Sequence, residues 1–306
     1  MKTPMKSTFL AAALLFLPAW AAGPQMANGV ITVSAEQVEQ IRQSARAAQA
    51  GRPSALKSII TAQPYELSLD HRTGRTPASQ HPVEAEMIIV LDGAGTITTG
   101  GTLVNPTTAA NGNISGSDIA NGAPQHVVKG DMLIVPQNTA HMMMPDAGGA
   151  LVLATLHLPR TAEPAPVPGR APAAPKLVSL AADLPAMIEK AKAAVATSPR
   201  FFGGDTILSL PPYRVGLEYR SPKGIASVHK NDGEFMVVLE GEGVIVAGGT
   251  VVNPKDTGAN IDGDAIEGGA DIRMKKGDFI FVPKGVPHLA KSDGAFVLAT
   301  LHVSGP

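Results

Sequence analysis

The chain carries one sequence pattern twice, and that repeat limits its fold more than any other feature. Ser79-Gln-His81-Pro-Val-Glu-Ala-Glu86-Met-Ile-Ile-Val-Leu-Asp-Gly93-Ala-Gly95 lies over Ser227-Val-His229-Lys-Asn-Asp-Gly-Glu234-Phe-Met-Val-Val-Leu-Glu-Gly241-Glu-Gly243 without a gap. The same offset carries Gly100-Gly101-Thr102 onto Gly248-Gly249-Thr250 and Asn105-Pro106 onto Asn253-Pro254. After small changes in length, Lys129-Gly130-Asp131 falls on Lys276-Gly277-Asp278, Pro136 on Pro283 and His141 on His288. Leu153-Ala-Thr-Leu-His157 then falls on Leu298-Ala-Thr-Leu-His302. Chance does not produce matches in this order. The chain is a duplication and should fold as two like units.

With 306 residues there is room for two such units, each with its own core. The sequence is 44% hydrophobic and 17% charged, with 32 glycines and 26 prolines, which suits short strands and turns better than a helical bundle. Apolar runs at 87–91 and 235–239 read as strands ended by Gly-x-Gly turns. Those at 132–135 and 279–282 start after Gly-Asp and stop at Pro, and 151–157 and 296–302 close each copy. The Asn- and Gly-rich stretches 105–125 and 253–271 read as long loops that could rim a barrel mouth. A helix precedes each copy: Ser34 has capping-box spacing to Gln37, with Val38, Ile41 and Ala45 on one face and Gly51 as the stop. Ser179 is expected to open the second helix, striped by Leu184, Met187, Ile188 and Ala191. These signals divide the chain into 1–21, 22–158 (helix plus first barrel), a Pro-rich linker 159–178, and 179–306 (helix plus second barrel). Duplicated barrels of this kind are expected to pack as one cooperative unit that buries edge strands.

The second copy reads His229-Lys-Asn-Asp-Gly-Glu234 and then Gly241, followed by Gly277 and Pro283-Lys-Gly285-Val-Pro-His288. The first reads His81-Pro-Val-Glu-Ala-Glu86 and then Gly93, followed by Gly130 and Pro136-Gln-Asn138-Thr-Ala-His141. Paired in this order, and found twice, these stretches closely resemble the two signature motifs of the cupin superfamily. The resemblance covers nearly all of the chain outside residues 1–21, the linker and the helices. It implies an all-β fold of tandem duplicated cupin jelly-roll β-barrels, each preceded by a short α-helix. It also implies metal ligands: His229, Glu234 and His288 in the second barrel, and His81, Glu86 and His141 in the first. Imidazole and carboxylate donors suit a divalent ion (Mn, Fe, Zn, Ni or Cu), with Fe or Mn favoured.

One departure matters. The family pattern usually has His-x-His before the Glu, but Ser227 and Ser79 stand at the first of those positions. Two histidines and one carboxylate leave three open positions on an octahedral ion, as in non-haem Fe(II) centres. The same loss lowers affinity, so an empty barrel with merely satisfied polar groups is the alternative. His157 and His302 recur but read as polar residues ending a strand. Met142, Met143 and Met144 read as pocket lining, since Leu289-Ala-Lys291 replaces them in the second copy. Arg72 and Arg220 correspond, as do Tyr65 and Tyr213. The arginines read as exposed strand residues, with carboxylate recognition as the alternative.

The function expected is a metal-dependent enzyme of oxygenase, isomerase or decarboxylase type acting on a small polar organic molecule. The alternative is a non-catalytic bicupin that binds or stores a sugar or organic acid. A net charge of −1 without a basic run gives no case for nucleic acid. Monomer and homo-oligomer both stay open. With no cysteine, disulfides, thiolate sites and a lipoprotein-type membrane anchor are excluded.

Residues 1–21 read as an export signal: Lys2 and Lys6, an apolar run over 9–17, and Ala19-Trp20-Ala21 as the cleavage site. The expected location is periplasmic or secreted. Protein recovered from the host's periplasm should therefore have an intact mass beginning at Ala22. It should also lack tryptophan emission, because Trp20 is the only tryptophan. A full-length mass would contradict the reading.

Overall fold

The computed structural model describes residues 24–160 and 174–305. Residues 1–21, expected to be an export signal, and most of the expected linker 159–178 lie outside the described residues. Each copy is built around one long strand, Glu84–Thr99 in the first and Asp232–Ala247 in the second. The leading half of Glu84–Thr99 pairs with Met132–Val135 on one side and Leu151–Pro159 on the other. Its trailing half pairs with Ala123–Val128 and His141–Pro145 in a second sheet. One strand thus serves two packed sheets, and the second copy repeats the arrangement. This is a jelly-roll barrel made twice.

The Gly-x-Gly segments are where that strand changes sheet. They were expected to end the strand in a turn, but the strand bends and continues through them. Gly93 has φ +79°, and a β-carbon there would lie 1.9 Å from the Ala150 carbonyl oxygen. Gly241 has φ +73° and the same close approach to Ala295. The partner ladders slip register beside both glycines, between Val152 and Leu153 and between Val238 and Glu240. A bulged, side-chain-free corner lets a strand leave one sheet for another.

The first helix, Ala35–Gln49, has the expected capping box, with the Ser34 hydroxyl accepting from Gln37 N–H and Gln37 Oε1 accepting from Ser34 N–H. The second does not start at Ser179. Ser179 belongs to the short strand Val178–Ser179, and a 3₁₀ turn, Ala181–Asp183, leads into the helix Leu184–Val195. Pro185 explains the later start, because proline fits the first helical turn and not its interior.

The barrels hold each other by a reciprocal exchange. Val30–Val33, ahead of the first helix, pairs with Phe279–Val282 of the second barrel. Val178–Ser179, ahead of the second helix, pairs with Met132–Val135 of the first. The Asp of each Lys-Gly-Asp segment completes the exchange: Asp278 accepts from Ala35 N–H at 2.8 Å and Asp131 from Ala181 N–H at 2.7 Å. Tyr65 Oη donates to the Ser304 carbonyl at 2.9 Å and Tyr213 Oη to the Pro159 carbonyl at 2.5 Å. A single hydrophobic core runs across the join, from Met87, Ile89 and Leu156 to Phe235, Phe279 and Leu301. The stretches 105–125 and 253–271 are not plain loops: they fold into short ladders, such as Asn260–Gly263 against Ala226–His229. These ladders pair backbone groups that a plain loop would leave to solvent.

The segment 178–306 expressed alone loses the Val30–Val33 strand and bares the Phe235 face of the shared core. It should be poorly soluble, and a stable monomer would count against the exchange. In the whole chain, Asp278→Ala should lower stability by about 1 kcal/mol through the lost cap, measured by urea unfolding as a single transition.

Candidate metal centres

The strand ladder puts the chemistry-bearing residues of the second barrel on neighbouring strands. Glu234, in the doubly buried leading half of the long strand, lies between Val282 and His302 in register. His229 ends Ala226–His229, and His288 opens His288–Lys291 directly across from Ser227. Gly285, at φ +78°, turns the chain so that its N–H reaches the His229 carbonyl at 2.8 Å. Asn138, at φ +57°, does the same for His81 at 2.7 Å. Asparagine tolerates this left-handed backbone, so the first copy keeps the turn without glycine.

The carboxylates are the centre of each group. Glu234 is 3% exposed, with Oε2 3.2 Å from His288 Nε2 and 3.4 Å from His229 Nε2. In the first barrel, Glu86 Oε2 lies 2.9 Å from His141 Nε2 and 3.8 Å from His81 Nε2. Each set named from the sequence is therefore brought together around its own Glu. The opposite ring nitrogens are held from behind. His288 Nδ1 lies 3.1 Å from the Val286 carbonyl, His141 Nδ1 3.0 Å from the Thr139 carbonyl, and His229 Nδ1 2.9 Å from Asn260 Oδ1. Asn260 comes from the strand-rich flap over 253–271. His81 Nδ1 is buried without a hydrogen-bond partner.

This donor set fits a divalent cation. A carbonyl oxygen only accepts, so Nδ1 of His288 and of His141 carries a proton, and whenever the ring is neutral its Nε2 turns a bare lone pair inward. That lone pair then faces a carboxylate oxygen, acceptor against acceptor. Only a proton or a cation between them makes the contact favourable. Protonating every ring would crowd positive charges into a buried cavity, whereas one ion satisfies all the donors at once. Glu86, which burial alone would raise, is held at about 2 by the His141 hydrogen bond and the nearby histidines. Glu234 is likewise kept well below the ordinary carboxylate range against burial, by His229 and His288. Burial pulls His141 and His229 down, but the adjoining carboxylate raises both above their ordinary value. Burial and His157 win over Glu86 at His81 and lower it.

Two histidines that the sequence reading set aside lie at these centres. His302 Nε2 is 3.6 Å from Glu234 Oε1, and its ring meets His229 edge-on at 4.5 Å between centroids. His157 meets His81 in the same way at 4.5 Å. The available signal was strand alternation, which puts His157 with Thr155, and His302 with Thr300, on the Glu-bearing face. A cavity of about 200 Å³ adjoins the second centre, lined by Arg220, Ser227 and Asn260 among others. One of about 140 Å³ adjoins the first, lined by Arg72, Met142 and Met143. The arginines are not free strand residues: Arg72 pairs with Asp70 and Arg220 with Glu218.

No protein-family model matches the sequence, and no curated protein matches it significantly. Solved structures do. A salicylate 1,2-dioxygenase from Pseudaminobacter salicylatoxidans matches with a TM-score of 0.59 at 14% identity, over 96% of this chain and 88% of that one. The same enzyme's adducts with gentisate match at 0.59 and 12%, over 92% and 82%. The coconut allergen cocosin matches at 0.47 and 11%, over 82% of each chain. At such identities the dioxygenase likeness shows the fold, which is that of tandem cupin barrels.

Asn260 fixes the tautomer of His229 from outside the centre. Asn260→Ala should weaken Zn(II) or Mn(II) binding by roughly 10- to 100-fold, the usual cost of losing an outer partner. Competition titration measures it, and an unchanged affinity would mean that the flap does not hold the centre.

Proposed function

We propose that this protein is a metal-dependent enzyme acting on a small polar organic molecule, with its principal centre in the second barrel. The observation that carries the reading is the inward convergence of His229 and His288 Nε2 on the buried carboxylate of Glu234. His229, Glu234 and His288 would hold a divalent ion, Fe or Mn by preference, with His81, Glu86 and His141 forming the related site. Such an ion supplies Lewis acidity toward a substrate oxygen, and oxygenase, isomerase and decarboxylase reactions all use it. The chain's own residues do the rest. Glu234 provides charge compensation, the Val286 carbonyl and Asn260 orient the rings, and the barrel wall keeps bulk water from the centre. Likeness in fold to a dioxygenase agrees with this reading. Export to the periplasm belongs to the same proposal, resting on residues 1–21.

A non-catalytic bicupin holding a sugar or organic acid is the competing reading, and metal analysis separates the two. Purified mature protein should carry metal in stoichiometric amount; a metal-free barrel that still binds ligand would favour storage. Glu234→Ala and His288→Ala should each reduce metal content steeply, because each removes one of few protein ligands. Glu86→Ala and His141→Ala should matter less for turnover. Melting temperatures in excess chelator should change little for the two Glu variants, whose lost side chains contribute little apolar packing, and should fall for the two His variants, which leave a buried carboxylate less compensated. Full metal occupancy in all four variants would overturn the assignment.

A further inference from the structure

We infer that His302, and His157 in the first barrel, is a fourth metal ligand. It stands in for the histidine that the cupin pattern places where this chain has Ser227 and Ser79. The inference rests on the metal-centre reading above and adds to it a donor from the strand paired with the Glu-bearing one.

Register supplies the first reason. His302 is the direct cross-strand partner of Glu234, and His157 is the direct partner of Glu86. Residues opposed in this way project from the same face, with β-carbons about 4.5–5.5 Å apart. The two copies differ in length between the Glu and this histidine, yet the imidazole lands opposite the carboxylate in both. A one-residue slip would turn it to the outer face.

Side-chain geometry supplies the second. Ligand atoms of His229, Glu234 and His302 all lie within 4.8 Å of one another, as do those of His81, Glu86 and His157. His302 is 43% exposed, so it has room to turn to water, but its Nε2 is directed at the buried carboxylate. In the first barrel, His157 Nδ1 lies 3.3 Å from Glu84 Oε2. That Nδ1 makes no hydrogen bond, so the Glu84 contact is one of proximity alone. Asp232 takes the Glu84 position in the second copy and lines the same cavity.

The vacated position supplies the third. Ser227 lies opposite His288, as a ligand there would, but its Oγ donates to Asp262 Oδ1 at 2.9 Å. It is engaged with the flap and is too short to reach the Glu234 group. Three imidazoles and one carboxylate would then hold the ion, leaving fewer positions for a substrate than a three-ligand set would.

The test uses full-length mature protein with the first barrel silenced by His81→Ala, Glu86→Ala and His141→Ala together, stripped of metal and titrated with Cu(II) and Co(II). With His302 present, pulsed EPR on the copper form should count three imidazoles. His302→Ala should show two, and its affinity should fall by more than the roughly 10- to 100-fold typical of losing an outer partner. Ser227→His added to His302→Ala should restore the third imidazole. If His302→Ala keeps the same imidazole count and affinity while His288→Ala loses both, His302 is not a ligand and the three-ligand reading stands. If the silenced protein takes up no metal at all, the metal-centre reading fails and this inference with it. Chelated melting curves verify folding, and the mirror experiment, His157→Ala in a background carrying His229→Ala, Glu234→Ala and His288→Ala, serves if His302→Ala does not fold.

Discussion

A buried carboxylate surrounded by imidazoles is the constraint on which each barrel depends. Glu234 and Glu86 sit on strand segments with apolar neighbours on both faces, where an isolated negative charge would be very unfavourable. The histidines offset that cost, and the depressed carboxyl pKa values record it. His141, His229 and His288 are in turn held from behind by backbone carbonyls and a flap amide, which directs their Nε2 atoms inward. The polar group is thus committed to holding something positive. The rest of the barrel keeps it dry and correctly spaced.

The carboxylate is so deeply buried because the barrels share a core. The strand bearing Glu234 also bears Phe235 and Val237, which point the other way into the join between barrels, while Met236 and Val238 fill the barrel interior. Alternation along one strand therefore builds the metal pocket and the interface together. The exchanged arms Val30–Val33 and Val178–Ser179 extend the sheets beside that same segment and close edges that would otherwise stay unpaired. Duplication alone would give two half-finished barrels. The exchange gives one molecule.

The parts of this arrangement fixed by local chemistry were legible in the sequence. The strands Met132–Val135 and Phe279–Val282 begin after Gly-Asp and end before Pro, as a reader of breakers would place them. The Ser34 capping box is likewise local. The parts decided by distant partners were not legible. Gly93 and Gly241 look like turn residues, and only the crossing strands at Ala150 and Ala295 make them corners. Ser179 looks like a cap, but it pairs with Met132 of the other barrel. His302 carries no motif of its own, and its meaning comes from the residue opposite. Of the sites, the Glu and its two motif histidines could be named from spacing, while the third histidine needed the register.

What the copies keep and what they change separates the constraints on the centre from those on its ligand. The Glu, the three histidines and the turn that positions the last motif histidine occur in both barrels. The surroundings do not match. Arg72 uses both Nε and Nη2 on Asp70 and Nη1 on Thr76, so each of its three guanidinium nitrogens has a partner. Arg220 spends Nη2 on Glu218 and lies over the Phe202 ring, with Nε buried and unpartnered. The first cavity is narrower and adds Met142 and Met143, while the second is wider and adds Arg200 and Asn260. A carboxylate and imidazoles that converge on one point are each needed to hold an ion, so the ligand set repeats. The cavity wall is under no such restraint, which leaves the two barrels holding like centres in unlike pockets.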